Sequence, residues 1–185
     1  MEKKKSSLTI LCEAGVLLAL AQILSYVRLY KFPNGGSVDF AMLPIIVFCA
    51  RYGVSWGVVT GFVYGLLQYF IGLSTSIDWT TLIVDYIVAY TLLGLGAGLA
   101  HLYPKHRMTH AILIGGLLRF AAHFVVGALV WGKYMPETFF GMHMTSVWVY
   151  SFLYNGSYMF IDIAIVLIAV SLMRKPLKSI LGEKM

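Results

Sequence analysis

The sequence predicts an all-α membrane protein, a six-transmembrane-helix bundle with an outward-facing ligand pocket. Three observations support this fold class. Hydrophobic residues make up 59% of the 185 residues and charged residues only 12%, with a mean hydropathy of +0.81, whereas soluble domains carry roughly 25% charged residues. The apolar residues fall into six segments, and the polar side chains inside those segments concentrate towards one end of the last three.

The six apolar segments define the expected helices and a single domain over residues 1–185. They cover approximately residues 8–27, 40–50, 54–73, 80–102, 109–131 and 146–173. A spanning helix needs about 20 apolar residues. The second segment is shorter, so we expect it to be tilted, buried in the bundle or partly re-entrant. Ala19–Ala21 resembles a signal-peptidase site, but Glu13 interrupts the apolar run, so a retained first helix is favoured over a cleaved one.

The positive charges between the apolar segments set the expected orientation, because positively charged loops stay on the cytoplasmic side. One group of loops holds most cations, namely Lys3, Lys4, Lys5, Arg51, Lys105, Arg107, Arg174, Lys175, Lys178 and Lys184. The other group holds only Arg28, Lys31 and Lys133. We therefore expect a multi-pass protein with both termini in the cytoplasm. The net charge of +6 is explained by this topology, and no nucleic-acid partner is expected.

Small residues predict where helices pack closely in lipid. Glycine recurs at every fourth position from Gly53 to Gly65 and forms one stripe on the third helix. Such stripes let helix backbones approach each other. Gly15 and Ala19 form a shorter pair on the first helix, which could pack internally or against another subunit.

Ionisable side chains inside spans are candidate functional residues, because charge in a bilayer is costly and usually faces a cavity. Asp85 lies near the outer end of the fourth helix. Arg119 and His123 are four residues apart on the fifth helix and share one face. Arg119 could neutralise Asp85 and only hold two helices together, and this alternative to a functional role stays open. Asp162 has no evident partner, and Glu13 is expected to snorkel or to pair with a lysine.

Aromatic and amide side chains lie at the same end of the last three helices. They are Tyr86, Trp131, Trp148, Tyr150, Tyr154 and Asn155. With Asp85 they suit a small, flat ligand that carries a positive charge, because rings stack on it and attract the cation while the carboxylate balances it. No nucleophile with an adjacent base, metal-ligand cluster or GxxxxGK[ST] motif is present. We therefore expect neither an enzyme nor a bound metal or cofactor.

The two outer connectors, residues 32–37 and 133–144, are rich in turn-forming and aromatic residues. Such loops can cover a pocket. The sequence alone favours plain connectors.

Several short motifs, in order along the chain, resemble one transporter family. They are Gly35–Val38 leading to Met42–Pro44, Gly61–Gly65 with Tyr64, Asp85 with Tyr86, the Arg119/His123 pair followed by Trp131, and Tyr150 with Asn155 and Gly156. Each motif is short, but their order and spacing resemble the thiamine-specific substrate-binding (S) component of energy-coupling factor (ECF) vitamin transporters, the ThiT family.

The resemblance implies high-affinity thiamine binding and uptake in a bacterial cell membrane. It implies partners: a transmembrane coupling subunit and two ATPase subunits. By motif, the implied ligand-binding residues are Asp85, Tyr86, Arg119, His123, Trp131, Tyr150, Asn155 and Tyr64. Family members commonly have glutamate at the position of Asp85 and lysine at that of Arg119, and some have tryptophan at that of Tyr64. Gly15 and Ala19 match the family's contact with the coupling subunit.

Three alternatives stay open at this point. The chain could be an S component for another vitamin, such as riboflavin or a pyridoxine-like compound. It could be a membrane-embedded enzyme that uses His123 and Asp85 as acid and base. It could be a structural protein in which Arg119 and Asp85 form only a helix clamp.

Overall fold

The computed structural model describes residues 6–33, 35–72 and 79–181, without the side chains of residues 178 and 179. The predictions for Lys3, Lys4, Lys5 and Lys184, and for the Lys178 side chain, lie outside these described residues. So does the predicted end of the third segment at residue 73.

Seven helices make up the described chain. They are α1 (Ser7–Tyr26), α2 (Met42–Tyr52), α3 (Val54–Ile71), α4 (Trp79–Leu102), α5 (Arg107–Leu129), α6 (Val147–Leu172) and α7 (Arg174–Leu181). Two antiparallel pairs of two-residue strands occupy the connectors: β1 (Tyr30–Lys31) with β2 (Ser37–Val38), and β3 (Thr138–Phe139) with β4 (Met142–His143). The predicted all-helical membrane architecture is confirmed, with small hairpins where plain connectors were expected.

Five helices, α1, α3, α4, α5 and α6, are long and apolar enough to cross a membrane. Their outward surfaces are apolar as well: Val16 is 68% exposed, Phe70 73% and Leu172 81%. Water would disfavour so much exposed apolar surface, whereas the acyl chains of a bilayer match it. The chain is therefore a multi-pass membrane protein.

Helix α2 is the short helix that length alone could not place. It has 11 residues, and eight of them are buried. Ile45, Ile46 and Phe48 are at most 1% exposed and belong to the main apolar core. Gly53, with a φ of +82°, ends the helix and lets α3 begin at once. Of the three expected arrangements, burial inside the bundle is the one observed.

The glycine stripe on α3 allows close packing, as predicted, and the structure shows that its neighbour is α4. A Cβ at Gly57 would overlap the carbonyl oxygen of Gly94, and one at Gly61 would overlap that of Tyr90. A Cβ at Gly65 would lie 2.6 Å from the carbonyl oxygen of Tyr86. The two backbones thus touch along more than two turns, which only glycine permits.

Helix α4 changes character along its length. It begins with one α-turn, continues as a π-helix over Leu82–Val88, returns to α-helix over Ala89–Leu99 and ends in a short 3₁₀ turn. π-helical segments are rare and are frequent at functional sites. The apolar pattern predicted the helix but contained no signal for this segment.

Polar contacts at the end of the bundle where α2 meets α3 join the first helices. Glu13 accepts a hydrogen bond from Arg51 at 3.0 Å and another from the Tyr52 hydroxyl. Glu13 was expected to snorkel or to pair with a lysine; an arginine, Arg51 at the end of α2, lies within ion-pair distance of it. The tail also forms a helix that the sequence reading missed: Leu177 and Leu181 of α7 pack into the main core.

We predict that Gly61→Ala destabilises the protein by about 1–3 kcal/mol, because the added methyl group must separate α3 from α4. Thermal unfolding of the detergent-solubilised protein measures this change. Gly15→Ala is the matched control, since a Cβ there meets nothing within 4 Å. Equal melting temperatures for the two variants would contradict the packing described here.

Candidate functional site

A cavity opens between α4, α5 and α6 at the end of the bundle where α4 begins. It contains about 920 Å³ of empty space, counting the part open to solvent. Seven of the eight residues predicted to bind a ligand line it: Asp85, Tyr86, Arg119, His123, Trp131, Tyr150 and Asn155. The structure thus brings together side chains from three helices that are up to 70 residues apart in sequence.

Asp85 is the centre of the polar contacts in this cavity. One carboxylate oxygen lies 2.8 Å from His123 Nδ1, and the other accepts a hydrogen bond from Trp131 Nε1 at 2.9 Å. Asp85 stands on the π-helical segment of α4, whereas its two partners come from α5 and from the 3₁₀ turn that follows it. The carboxylate therefore ties the two helices together through hydrogen bonds that its charge strengthens.

His123 presents one ring nitrogen to the protein and leaves the other without a partner. With the proton on Nδ1 shared with Asp85, Nε2 is an acceptor in the neutral ring. Nε2 is buried and makes no hydrogen bond within the described part of the chain. A buried polar atom without a partner is costly, so this nitrogen is a natural contact for a ligand in the cavity.

Arg119 does not form the clamp with Asp85 that the sequence left open. Its guanidinium donates a hydrogen bond to the Tyr90 hydroxyl at 3.2 Å and lies 4.6 Å from the centre of the Tyr90 ring. Among the described residues, the side-chain hydrogen-bond partners of Asp85 are His123 and Trp131. The Arg119–Asp85 clamp is therefore not formed: Arg119 contacts α4 through Tyr90 instead, and it also lines the cavity.

Asn155 is held rigidly by α5 and α6. Its amide nitrogen donates to the His123 carbonyl at 3.2 Å and to the Ser151 carbonyl at 3.0 Å, and its oxygen accepts from the Tyr158 hydroxyl at 2.8 Å. A Cβ at Gly127 would lie 2.6 Å from the Asn155 amide nitrogen, so glycine makes room for this side chain.

Tyr150 and Asn155 do not share one helical face, so a bend or a wide cavity was expected if both were to be used. Helix α6 is described as one α-helix from Val147 to Leu172, and both residues line the cavity. The cavity is therefore wide enough for Tyr150 and Asn155 to line it from different faces of the same helix. Tyr158, one turn beyond Asn155, also lines the cavity and was not predicted.

Tyr64 is the one predicted ligand residue that lies outside the cavity lining. Its side chain is fully buried, its hydroxyl donates to the Ala21 carbonyl at 3.2 Å, and its ring packs edge-on against Tyr90 at 4.7 Å. Tyr64 therefore supports the wall from behind. The motif identified Tyr64 by its position in the sequence, but the direction of its side chain depends on how α1 packs against α3.

The first connector is part of the cavity wall, although a plain connector was favoured. Gly35, Gly36, Ser37 and Asp39 all line the cavity. The Gly36 amide donates to the Tyr154 hydroxyl at 3.3 Å. The double glycine in a turn-rich segment was the available signal for such a close approach.

Helices α1 and α3 add a polar wall that the sequence reading missed. Ser25, Arg28 and Gln68 line the cavity. Gln68 donates to Gln22 at 3.2 Å and to the Tyr64 hydroxyl at 2.6 Å. Buried glutamines in two separate apolar segments were the only signal, and nothing in the sequence shows that they meet.

A membrane-embedded bundle around a charged, aromatic-lined cavity is an architecture suited to binding a small molecule. Residues 11–181 match the family model described as thiamine transporter protein. The chain is 36% identical over 173 residues to the thiamine transporter ThiT of Bacillus subtilis, covering 85% of this chain and 87% of that protein. The chain belongs to this thiamine transporter family.

Two further comparisons agree. The thiamine transporter ThiT of Lacticaseibacillus paracasei is 27% identical over 168 residues, covering 83% of this chain and 81% of that protein. A solved structure of ThiT from Listeria monocytogenes superposes with a TM-score of 0.78 at 23% identity, covering 94% of this chain and 97% of that one, which shows the shared fold. Because the family and both relatives are transporters, the expectation that the chain is not an enzyme is confirmed.

We predict that Asp85 is energetically coupled to Trp131 but not to Arg119. In double-mutant cycles on thermal unfolding, Asp85→Ala with Trp131→Phe should show a coupling of about 1 kcal/mol or more, because Trp131→Phe keeps a ring and removes the N–H. Asp85→Ala with Arg119→Gln should be additive within about 0.5 kcal/mol. A larger coupling energy of Asp85 with Arg119 than with Trp131 would contradict this prediction and support the Arg119–Asp85 clamp.

Proposed function

We propose that this protein binds thiamine in the cavity and acts as the substrate-specific component of an ATP-driven ECF vitamin transporter. The observation that carries the proposal is the Asp85 carboxylate, held by His123 and Trp131 in a cavity with aromatic walls. The names of the family and of both relatives as thiamine transporters support it.

Thiamine fits the chemistry of this cavity at both of its rings. Its thiazolium carries a permanent positive charge, which the Asp85 carboxylate balances and the faces of Tyr86 and Trp131 attract. Its aminopyrimidine is flat and has a hydrogen-bonding edge. The unpaired Nε2 of His123 can accept from the amino group of that ring. Riboflavin and biotin carry no fixed positive charge and would leave Asp85 without a cationic partner.

The cavity opens to the outside in this proposal, and both termini lie in the cytoplasm. The loop cations support this orientation: Arg51 lies at the end of the bundle opposite the cavity, where it pairs with Glu13. Positive loops stay inside, which places the cavity mouth outside. In a bacterial cell membrane the protein would then collect thiamine from the external medium.

The outer face of α1 is the proposed contact with the transmembrane coupling subunit. Gly15 and Ala19 are both exposed, and nothing lies within 4 Å of a Cβ built at Gly15. They do not pack inside the bundle, so of the two expected uses the contact with another subunit is favoured. The chain has no nucleotide-binding GxxxxGK[ST] motif, and the proposal assigns ATP hydrolysis to two separate ATPase subunits.

We predict that Asp85→Asn weakens thiamine binding roughly 30-fold or more, equivalent to ~2 kcal/mol, because it removes the charge opposite the thiazolium. Quenching of tryptophan fluorescence in the detergent-solubilised protein measures the affinity. Deazathiamine, which has an uncharged thiophene ring, should lose far less affinity in the same variant.

Glu13→Gln is the matched control, since it neutralises a carboxylate at the opposite end of the bundle and should leave thiamine affinity unchanged. Riboflavin and biotin serve as competing ligands. Unaltered thiamine affinity in Asp85→Asn would show that the cavity is assigned wrongly. Quenching of the wild-type protein by riboflavin or biotin but not by thiamine would assign it to another vitamin.

A second prediction concerns coupling. Gly15→Leu combined with Ala19→Leu should abolish thiamine uptake by cells that express the complete transporter while thiamine affinity of the isolated protein stays unchanged, because bulky side chains prevent close helix contact. Leu117→Trp on α5 is the control, as this side chain is 50% exposed on another face. Normal thiamine uptake by the double variant would show that α1 does not form the proposed contact with the coupling subunit.

A further inference from the structure

Asp162 is the most deeply buried carboxylate in the described part of the chain, and thiamine chemistry does not account for it. It lies on α6, is 1% exposed and does not line the cavity. An acidic side chain inside a span is costly and calls for a function. Its one hydrogen bond among the described residues is accepted from the backbone amide of Asp39, at 3.0 Å.

The hydrogen bond from the Asp39 amide to Asp162 holds the segment around Asp39 against α6. The Asp39 carboxylate accepts from the Ala41 amide at 2.9 Å and from the Ser37 hydroxyl at 2.9 Å. It thereby joins strand β2 to the start of α2. Its backbone amide remains available and reaches across to Asp162. The junction between the first connector and α2 is thus fastened to α6 at this point.

The same connector is fastened to α6 at a second place. The Gly36 amide donates to Tyr154, and Phe32 packs against the rings of Tyr154 and Tyr158 with centre distances of 6.0 and 5.8 Å. Tyr154, Tyr158 and Asp162 are spaced four residues apart, so they form one stripe on α6. The connector lies along that stripe and contributes Gly35, Gly36, Ser37 and Asp39 to the cavity wall.

Arg119 offsets part of the cost of burying Asp162 at this depth, because its positive charge favours the carboxylate form. Arg119 interacts electrostatically with both Asp162 and Asp39. The same arginine lines the cavity. The tether and the binding cavity are therefore parts of one buried network of charges.

We propose that Asp162 is a positioning residue for ligand binding: by holding the Asp39 amide it keeps residues 35–39 in place as one wall of the cavity. Asp162 does not touch the ligand. Without the tether, the connector would occupy its binding-competent position for a smaller fraction of the time, and apparent affinity falls in proportion to that fraction. The affinity measurement that tests this inference rests on the proposed thiamine site, whereas the hydrogen–deuterium exchange measurement does not.

The test compares Asp162→Ala, Asp162→Asn and the wild-type protein. Asp162→Ala should weaken thiamine binding about tenfold, chiefly through faster dissociation, because the hydrogen bond from the Asp39 amide is lost. Asp162→Asn retains an oxygen that accepts from the Asp39 amide and should stay within about threefold of the wild type. Ser157→Ala, on the same helix and outside the cavity lining, is the control and should bind normally.

Hydrogen–deuterium exchange of the ligand-free protein tests the tether without thiamine. Asp162→Ala should speed exchange in peptides covering residues 35–41 and leave α5 unchanged, an effect that general destabilisation would not confine to this segment. Unchanged exchange at 35–41 would overturn the proposal. So would faster exchange with normal affinity, or an equal loss of affinity in Asp162→Asn and Asp162→Ala.

Gly36→Ala is the second variant in case Asp162→Ala does not fold or exchanges faster throughout. A Cβ at Gly36 would lie 2.6 Å from the Tyr158 ring, so it should push the connector off α6 from the other attachment and weaken binding similarly. Normal thiamine affinity in Gly36→Ala would then overturn the proposal. If the wild-type protein itself fails to bind thiamine, the proposed function is wrong, and the exchange result still decides the tether.

Discussion

The cavity depends on the close approach of α3 to α4. Glycines on α3 face backbone carbonyls of Tyr86, Tyr90 and Gly94, so α4 is seated by backbone contact rather than by interdigitating side chains. Lipid gives apolar side chains little reason to prefer each other over the acyl chains, and close packing is what joins helices there. This contact sets the position of α4, and therefore the position of Asp85.

The π-helical segment of α4 contains the residues of this helix that are central to the cavity. It carries Asp85 and Tyr86 to the cavity, where Asp85 meets partners from the fifth helix and the turn beyond it. In a medium of low polarity a carboxylate must find donors within the protein. His123 and Trp131 supply them, and the second ring nitrogen of His123 has no hydrogen-bond partner among the described residues.

A second group of buried charges adjoins the first connector. The Asp39 amide donates to Asp162 and so joins the connector to α6, and Arg119 interacts electrostatically with both carboxylates. The cavity is thus built from one charged centre that faces the proposed ligand and another that holds its wall. Both follow from the same rule, that an ion inside a membrane protein is retained where its partners are supplied by neighbouring helices.

The sequence by itself determined the membrane class, the apolar segments that form the five long helices, the glycine packing stripe and seven residues of the cavity wall. These follow from local signals: apolar run length, residue spacing along one helix, and motifs that keep their order. Only the tertiary structure decided that α2 is buried, that Arg119 bonds to Tyr90 rather than Asp85, that Tyr64 points behind the wall and that Asp162 reaches Asp39. Each of these depends on the rotation of one helix against another, and a pattern within a single segment does not contain that rotation.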